Sequence, residues 1–193
     1  MLGEIAASST FTIAPPQPGE YSPYYHRYIS LVAGNDILAS LDEQRRRMIL
    51  LLSGLSEADG ELRYAPGKWS AKEVLGHVND AERIFAYRAL RIARNDSTPL
   101  EGFEQDDYVR SGPFGHRPLA DLIEDFIAVR RATLSLLRTL DEAAWSRRGI
   151  ANKNEVTVRA LAYIVAGHEL HHRGILEEKY FPANRGPIIA RTG

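Results

Sequence analysis

The sequence predicts an all-α protein, a four-helix bundle with a long crossover between helices 2 and 3. Three observations predict it. Four segments repeat their apolar residues at helical spacing. No stretch alternates apolar and polar residues in the manner of a half-buried strand. The connections are unequal, and the one after the second helix runs over residues 94–117, so a simple up-down-up-down order cannot be assumed. The 193 residues suit one domain with a sizeable core. They divide into an extended N-terminal arm (1–27), the bundle (28–181) and a C-terminal tail (182–193).

The arm carries Pro15, Pro16, Pro18 and Pro23, which bar a regular helix. Tyr21, Tyr24 and Tyr25 are the residues that could pin it to the body. The first helix is expected from Tyr28 or Asn35 to about Leu55, with Gly34 leaving room for a break. Leu38, Leu41, Met48, Leu51, Leu52 and Leu55 form its stripe, and Arg45, Arg46 and Arg47 read as a solvated face. Ser70 and Glu73 match a capping box, which starts a second helix running to about Ala93. Val74, Val78, Ala81, Phe85 and Leu90 are the residues expected to face inward on it, and Trp69 stands just outside the cap. Pro118 opens a third helix that continues to about Leu140. Its stripe includes Leu119, Leu122, Phe126, Val129, Leu136 and Leu137, interrupted by Arg130 and Arg131. After a connection anchored by Trp145, the fourth helix spans Thr157 to Glu178.

Composition narrows the function. Lys+Arg (24) nearly balances Asp+Glu (25), which argues against a strongly electrostatic nucleic-acid binder. Residues 1–11 lack the basic start and apolar run of a signal peptide, and no apolar stretch reaches membrane-spanning length. A cytoplasmic protein is expected. The absence of cysteine removes disulfides, thiolate ligands and cysteine nucleophiles.

What remains for chemistry is histidine. Of His26, His77, His116, His168, His171 and His172, three stand out by position. His168 and His172 are one turn apart on the face that carries Ile164, Val165 and Ile175. His77 sits among Val74, Val78 and Ala81 on the inward face of the second helix. Three imidazoles aimed into one bundle are costly unless paired. A divalent ion held by neutral imidazoles removes that cost, and three histidines plus water form a known open geometry for zinc, with nickel or iron also accepting such ligands. The bland alternative is a hydrogen-bonded core network, because an HxxxH pair alone is weak evidence. His168-Glu169-Leu170-His171-His172 also satisfies HExxH, with Glu169 as the base of a zincin, although the expected strand edge for a peptide substrate is missing. Asp80, one turn after His77, is the better candidate to orient its ring, since Glu73 is committed to the cap. Asp106 and Asp107 in the crossover could complete a pocket or simply keep a loop soluble. Arg83 and Arg173 could hold a substrate carboxylate or form surface ion pairs.

The stretch from Ala65 to Arg83, which contains Lys68-Trp69-Ser70 and Gly76-His77-Val78-Asn79-Asp80, resembles the second-helix signature of the DinB-like superfamily, and more narrowly its YfiT-type metal-dependent hydrolases. Gly167-His168-Glu169-Leu170-His171-His172-Arg173-Gly174 resembles the partner motif, and the likeness covers about residues 35–180. The resemblance implies a bundle in which the crossover joins parallel helices. It also implies a metal site of His77, His168 and His172, zinc or nickel as the ion, and a homodimer. Related proteins include transferases and isomerases that use a low-molecular-weight thiol. The function expected is a metal-dependent hydrolase or a thiol-dependent S-transferase acting on a small-molecule substrate, with Glu169 and Asp80 behind the ligands. The alternative is a non-catalytic, metal-stabilised, stress-related binding or scaffold protein. DNA binding has no support beyond the superfamily's name.

Overall fold

The computed structural model describes residues 13–182. The signal-peptide reading of residues 1–11 and all but the first residue of the expected tail lie outside the described residues. In chain order the helices are α1 (His26–Ile29), α2 (Ile37–Leu52), α3 (Glu57–Gly60), α4 (Ala71–Ala93), α5 (Gln105–Ser111), α6 (Leu119–Leu137), α7 (Glu142–Ser146) and α8 (Val158–Ile175). A single π turn, Leu176–Tyr180, extends α8.

The four long helices, α2, α4, α6 and α8, form the bundle. Helix α4 packs on α6 and α8, and α2 closes the ring on their other side. Asn79, Arg83 and Glu82 on α4 meet Leu122, Asp125 and Arg130 on α6, so contacts advance together along both helices. Helices α4 and α6 are therefore parallel, which is why the chain between them must travel the length of the bundle. On the α8 side, Trp69 meets Tyr180 and His77 meets His168, which makes that pair antiparallel.

Three of the four long helices start at a side chain that accepts from their free amides, and α6, which follows Pro118, instead has its Leu119 amide donating to Glu57 at 2.7 Å. Asp36 accepts from the Ala39 amide at 2.9 Å, and Thr157 accepts from the Ala160 amide at 3.1 Å. Ser70 and Glu73 form the reciprocal box expected of them. The break at Gly34 is real: its φ of 85° lies in the left-handed region, and α1 and α2 are separate helices around it.

One expectation is corrected. The connection after α6 holds an antiparallel hairpin, β1 (Arg148–Ala151) paired with β2 (Asn154–Thr157). Its two-residue turn places Asn152 and Lys153 at φ 48° and 63°, the backbone that a tight hairpin requires. Leu100 of the crossover docks on the hairpin, donating to the Ile150 carbonyl at 2.9 Å and accepting from Asn152 at 2.8 Å.

The arm is stitched to the body. The Glu20 carboxylate accepts from Thr157 Oγ1 at 2.9 Å and pairs with Arg159, and its carbonyl accepts from the Thr157 amide. Tyr163 donates to the Ile13 carbonyl at 3.2 Å. The boundary expected between residues 27 and 28 falls inside α1.

Two hydrophobic clusters fill the bundle. One contains Leu41, Ala81, Phe85, Leu134 and the run Leu161–Ala166. The other contains Met48, Val74, Val78, Phe126 and Leu176. Between them every long helix contributes polar residues: Gln44, then His77, Asn79 and Glu82, then Arg130, then His168, Glu169 and His172, all buried. Arg130, read from the sequence as an interruption of the stripe, has no exposed surface. It makes hydrogen bonds to Glu82 at 2.9 and 3.0 Å, to the Leu41 carbonyl at 3.0 Å and to Gln44 at 3.2 Å.

Candidate metal centre

The histidines lie where two independently capped helices pass each other. The Ser70–Glu73 box starts α4 one and a half turns before His77, and Arg63 holds Glu73 from outside at 2.6 Å. On α8, Gly167 precedes His168. A Cβ at this glycine would run into the Tyr28 carbonyl, so only glycine lets α1 lie this close. That approach sets the Tyr28 ring edge-on to His168, with centroids 5.4 Å apart. Trp69 covers His77 from the other side at 4.9 Å.

The result is a compact triad. One ring nitrogen each from His77, His168 and His172 lies within 4.8 Å of the others. His77 Nε2 and His168 Nε2 are 3.0 Å apart. All three residues are buried, at 3%, 6% and 8% exposure. Burial drives His77 down to about 4, and the same desolvation, aided by neighbouring histidines, holds His168 and His172 well below the usual imidazole range. All three are therefore neutral at pH 7, with lone pairs available. A tetrahedral ion with bonds of about 2.0–2.1 Å keeps its ligand atoms about 3.3 Å apart. The donor set, its neutrality and its spacing fit a divalent ion of the zinc or nickel type.

Two cavities approach the triad. The first, about 330 Å³, reaches His77 and His168 between Tyr24, Tyr25, Tyr28, Phe85, Arg88, Phe103 and the hairpin residues Asn152 and Asn154. The second, about 320 Å³, reaches His172 between Tyr64, Trp69, Ile175 and Tyr180. Asp106 lines both. This is the size of pocket that small molecules use.

The other residues singled out by sequence are dispersed. Asp80 pairs with Arg83 at 3.3 Å, and no hydrogen bond joins it to His77 among the described residues. Arg83 also pairs with Asp125 at 2.5 Å. Asp107 pairs with Arg110 on the surface. Arg173 bridges Glu169 and Glu177, each at 3.1 Å. Asp80, Arg83, Asp107 and Arg173 line neither cavity. Glu169 is buried beside α8's own Arg173, with Oε2 unpartnered and its carboxyl pushed up by burial to about 7. It lines neither cavity, which removes it from the position of a zincin base. His171 rests its ring on Tyr28 and is only half-buried. Sequence reasoning missed Arg88, Phe103, Asn152 and Asn154. Arg88 was legible in principle, since it lies eleven residues after His77, three helical turns on. The hairpin pair had no such signal.

A sequence model of the DinB superfamily matches residues 40–176, and the chain belongs to that superfamily. The bundle is similar to that of YfiT from Bacillus subtilis, described as a "probable metal-dependent hydrolase with an unusual four-helix bundle topology". That similarity has a TM-score of 0.68 at 14% identity, over 86% of this chain and 91% of the other. It is also similar to YjoA, a DinB-like protein of Bacillus subtilis, with a TM-score of 0.57 at 22% identity, over 78% of this chain and 93% of the other. A search of curated proteins finds no match. No helix of the described residues is long and apolar enough to cross a membrane.

Proposed function

We propose that the protein is a metal-dependent hydrolase acting on a small molecule, with His77, His168 and His172 as the ligands of a zinc or nickel ion. The observation that carries this reading is the triad itself: three buried, neutral imidazoles converging on one point at the wall of a cavity. The description of YfiT as a "probable metal-dependent hydrolase" supports it. A bound ion would supply Lewis acidity and lower the pKa of a water or thiol in the cavity. The chain's own residues would do the rest. The His ligands stay unprotonated because they are buried. Tyr28 and Trp69 hold two of the rings in place. Phe85 and Phe103 would give the first cavity its apolar wall.

One observation favours an S-transferase as the second reading. Two cavities of similar size meet at the triad from different sides, which suits two substrates. With no cysteine in the chain, the thiol would come from a low-molecular-weight cosubstrate. A purely structural, scaffold-type metal site fits less well, because structural sites are closed whereas this triad faces open space on both sides. We further propose a cytoplasmic homodimer, as the family resemblance implies.

The test is elemental mass spectrometry of untagged protein alongside His168→Ala. About one zinc or nickel per chain, lost in the variant, is expected. No stoichiometric metal after incubation with zinc, nickel and iron would leave the triad as a buried polar network and overturn the reading.

A further inference from the structure

Arg88 is the buried cation of the first cavity. It is 3% exposed, yet among the described residues no carboxylate pairs with it. The other deeply buried guanidinium, Arg130, is neutralised by Glu82, and the half-buried Arg159 is neutralised by Glu20. Its direct partners are neutral: the Glu101 carbonyl at 2.5 Å, the Tyr25 hydroxyl, and the rings of Phe85 at 5.7 Å and Phe103 at 6.0 Å. Desolvation depresses its pKa, but a guanidinium stays charged in proteins. A buried charge without a counter-ion is costly unless something supplies one.

Its place on α4 indicates what does. Eleven residues separate Arg88 from His77, which returns it to the same helical face about 16 Å along the axis. Ala81 and Phe85 lie between them, and all four residues line the one cavity. Tyr24, Tyr25 and Phe103 form its walls, which suits a planar or apolar middle section. Glu104 and Asp106 also line it. These carboxylates disfavour a dianion such as a phosphate ester and leave a monoanion as the better fit. A guanidinium carries five donors in a planar fork that suits a carboxylate, and Arg88 gives one to the Glu101 carbonyl and one to the Tyr25 hydroxyl.

We propose that Arg88 is the specificity residue of this site, binding the carboxylate of a small, partly aromatic substrate whose reacting end lies at the histidine triad. The proposal rests on the triad being the reactive end. The carboxylate contact itself needs no metal.

The test is calorimetric titration of 4-phenylbutyrate, its primary amide and phenyl phosphate into EDTA-treated and zinc-loaded protein. Wild type, Arg88→Lys and Arg88→Gln are compared, each checked for folding by circular dichroism. In metal-free wild type the carboxylate is expected to bind about 10- to 100-fold tighter than the amide, the scale of a charge-assisted hydrogen-bond pair. Arg88→Gln should erase the difference, and Arg88→Lys should retain part of it. Equal binding of acid and amide to metal-free wild type, or a preference unchanged in Arg88→Lys and Arg88→Gln, overturns the proposal. Tighter binding of phenyl phosphate overturns the choice of a monoanion. Should Arg88→Gln fail to fold, the wild-type preference and the Arg88→Lys result still decide. A carboxylate preference in protein that never takes up metal would support Arg88 and sink the metalloenzyme reading alone, so the two fail separately.

Discussion

At the scale of single residues, the site is governed by what burial does to charge. Unfolded, the three histidines take up protons near pH 6.5; folded and metal-free, His77 refuses one until about 4, and the other two are depressed as well. Between those values the unfolded chain binds more protons, so the metal-free fold loses stability as pH falls from about 6.5 toward 4. Glu169 works the other way: its carboxyl, raised to about 7 from 4.5, favours the fold in acid and loses that contribution as pH rises through 7. His171 is lowered too and Asp80 is raised, and with four histidines depressed a net loss on acidification is expected. Urea midpoints of EDTA-treated protein should fall between pH 7 and pH 5, and His168→Leu should flatten the slope. A flat profile in wild type would contradict the buried, neutral triad.

The Glu82–Arg130 pair makes a second residue-scale prediction. Glu82→Gln alone leaves a buried guanidinium short of its counter-charge and should cost about 3–5 kcal/mol in chemical denaturation. The double change Glu82→Leu with Arg130→Met should recover most of that loss, since a buried ion pair and a well-packed apolar pair are often close in stability. From sequence alone Arg130 looked like a break in the apolar stripe. A pattern of types shows that a charge faces inward only when its partner, 48 residues away, is known to face it.

At the scale of elements, the four long helices and the Ser70–Glu73 box were legible because each signal is local; Asp36 and Thr157, which likewise accept from the amide three residues on, went unread as caps, and α6 has no side-chain cap. The triad was legible for the same reason, being a helical spacing on α8 and one inward position on α4. The hairpin was not. Its strands have four residues each, its turn is Asn152-Lys153 without the glycine that usually marks such turns, and the pairing is held partly by Leu100 from the distant crossover. The pocket wall depends on that same docking, so Asn152 and Asn154 stayed hidden with it. The arm's docking was half legible: Tyr21 and Tyr25 pack into the body as expected, whereas Tyr24 is exposed and the bonds from Glu20 to Thr157 and Arg159 carried no signal. Gly167→Val tests this element. Its side chain would collide with the Tyr28 carbonyl, displacing α1 from α8. Destabilisation of about 1–3 kcal/mol is expected from such overpacking, with the fold retained by circular dichroism. A neutral effect would mean that α1 is not seated against α8.

At the scale of the whole molecule, metal and fold are linked. An ion that binds only the native state at a free concentration 100 times its Kd adds about 2.7 kcal/mol, so zinc-loaded protein should melt above EDTA-treated protein and His168→Ala should lose the difference. An identical melting temperature with and without zinc would deny the linkage.

The polar layer between the two hydrophobic clusters carries this further. The buried apolar residues fall into two separate clusters, with Gln44, Glu82, Arg130 and the histidines between them. Within the layer the contacts that join neighbouring helices are directional: the Glu82–Arg130 ion pair, the hydrogen bond from Arg130 to Gln44 and the histidine triad. The layer thus works as a keystone, making two half-domains into one cooperative unit. Loaded protein should unfold in calorimetry as a single sharp transition, and chelation should broaden or split it.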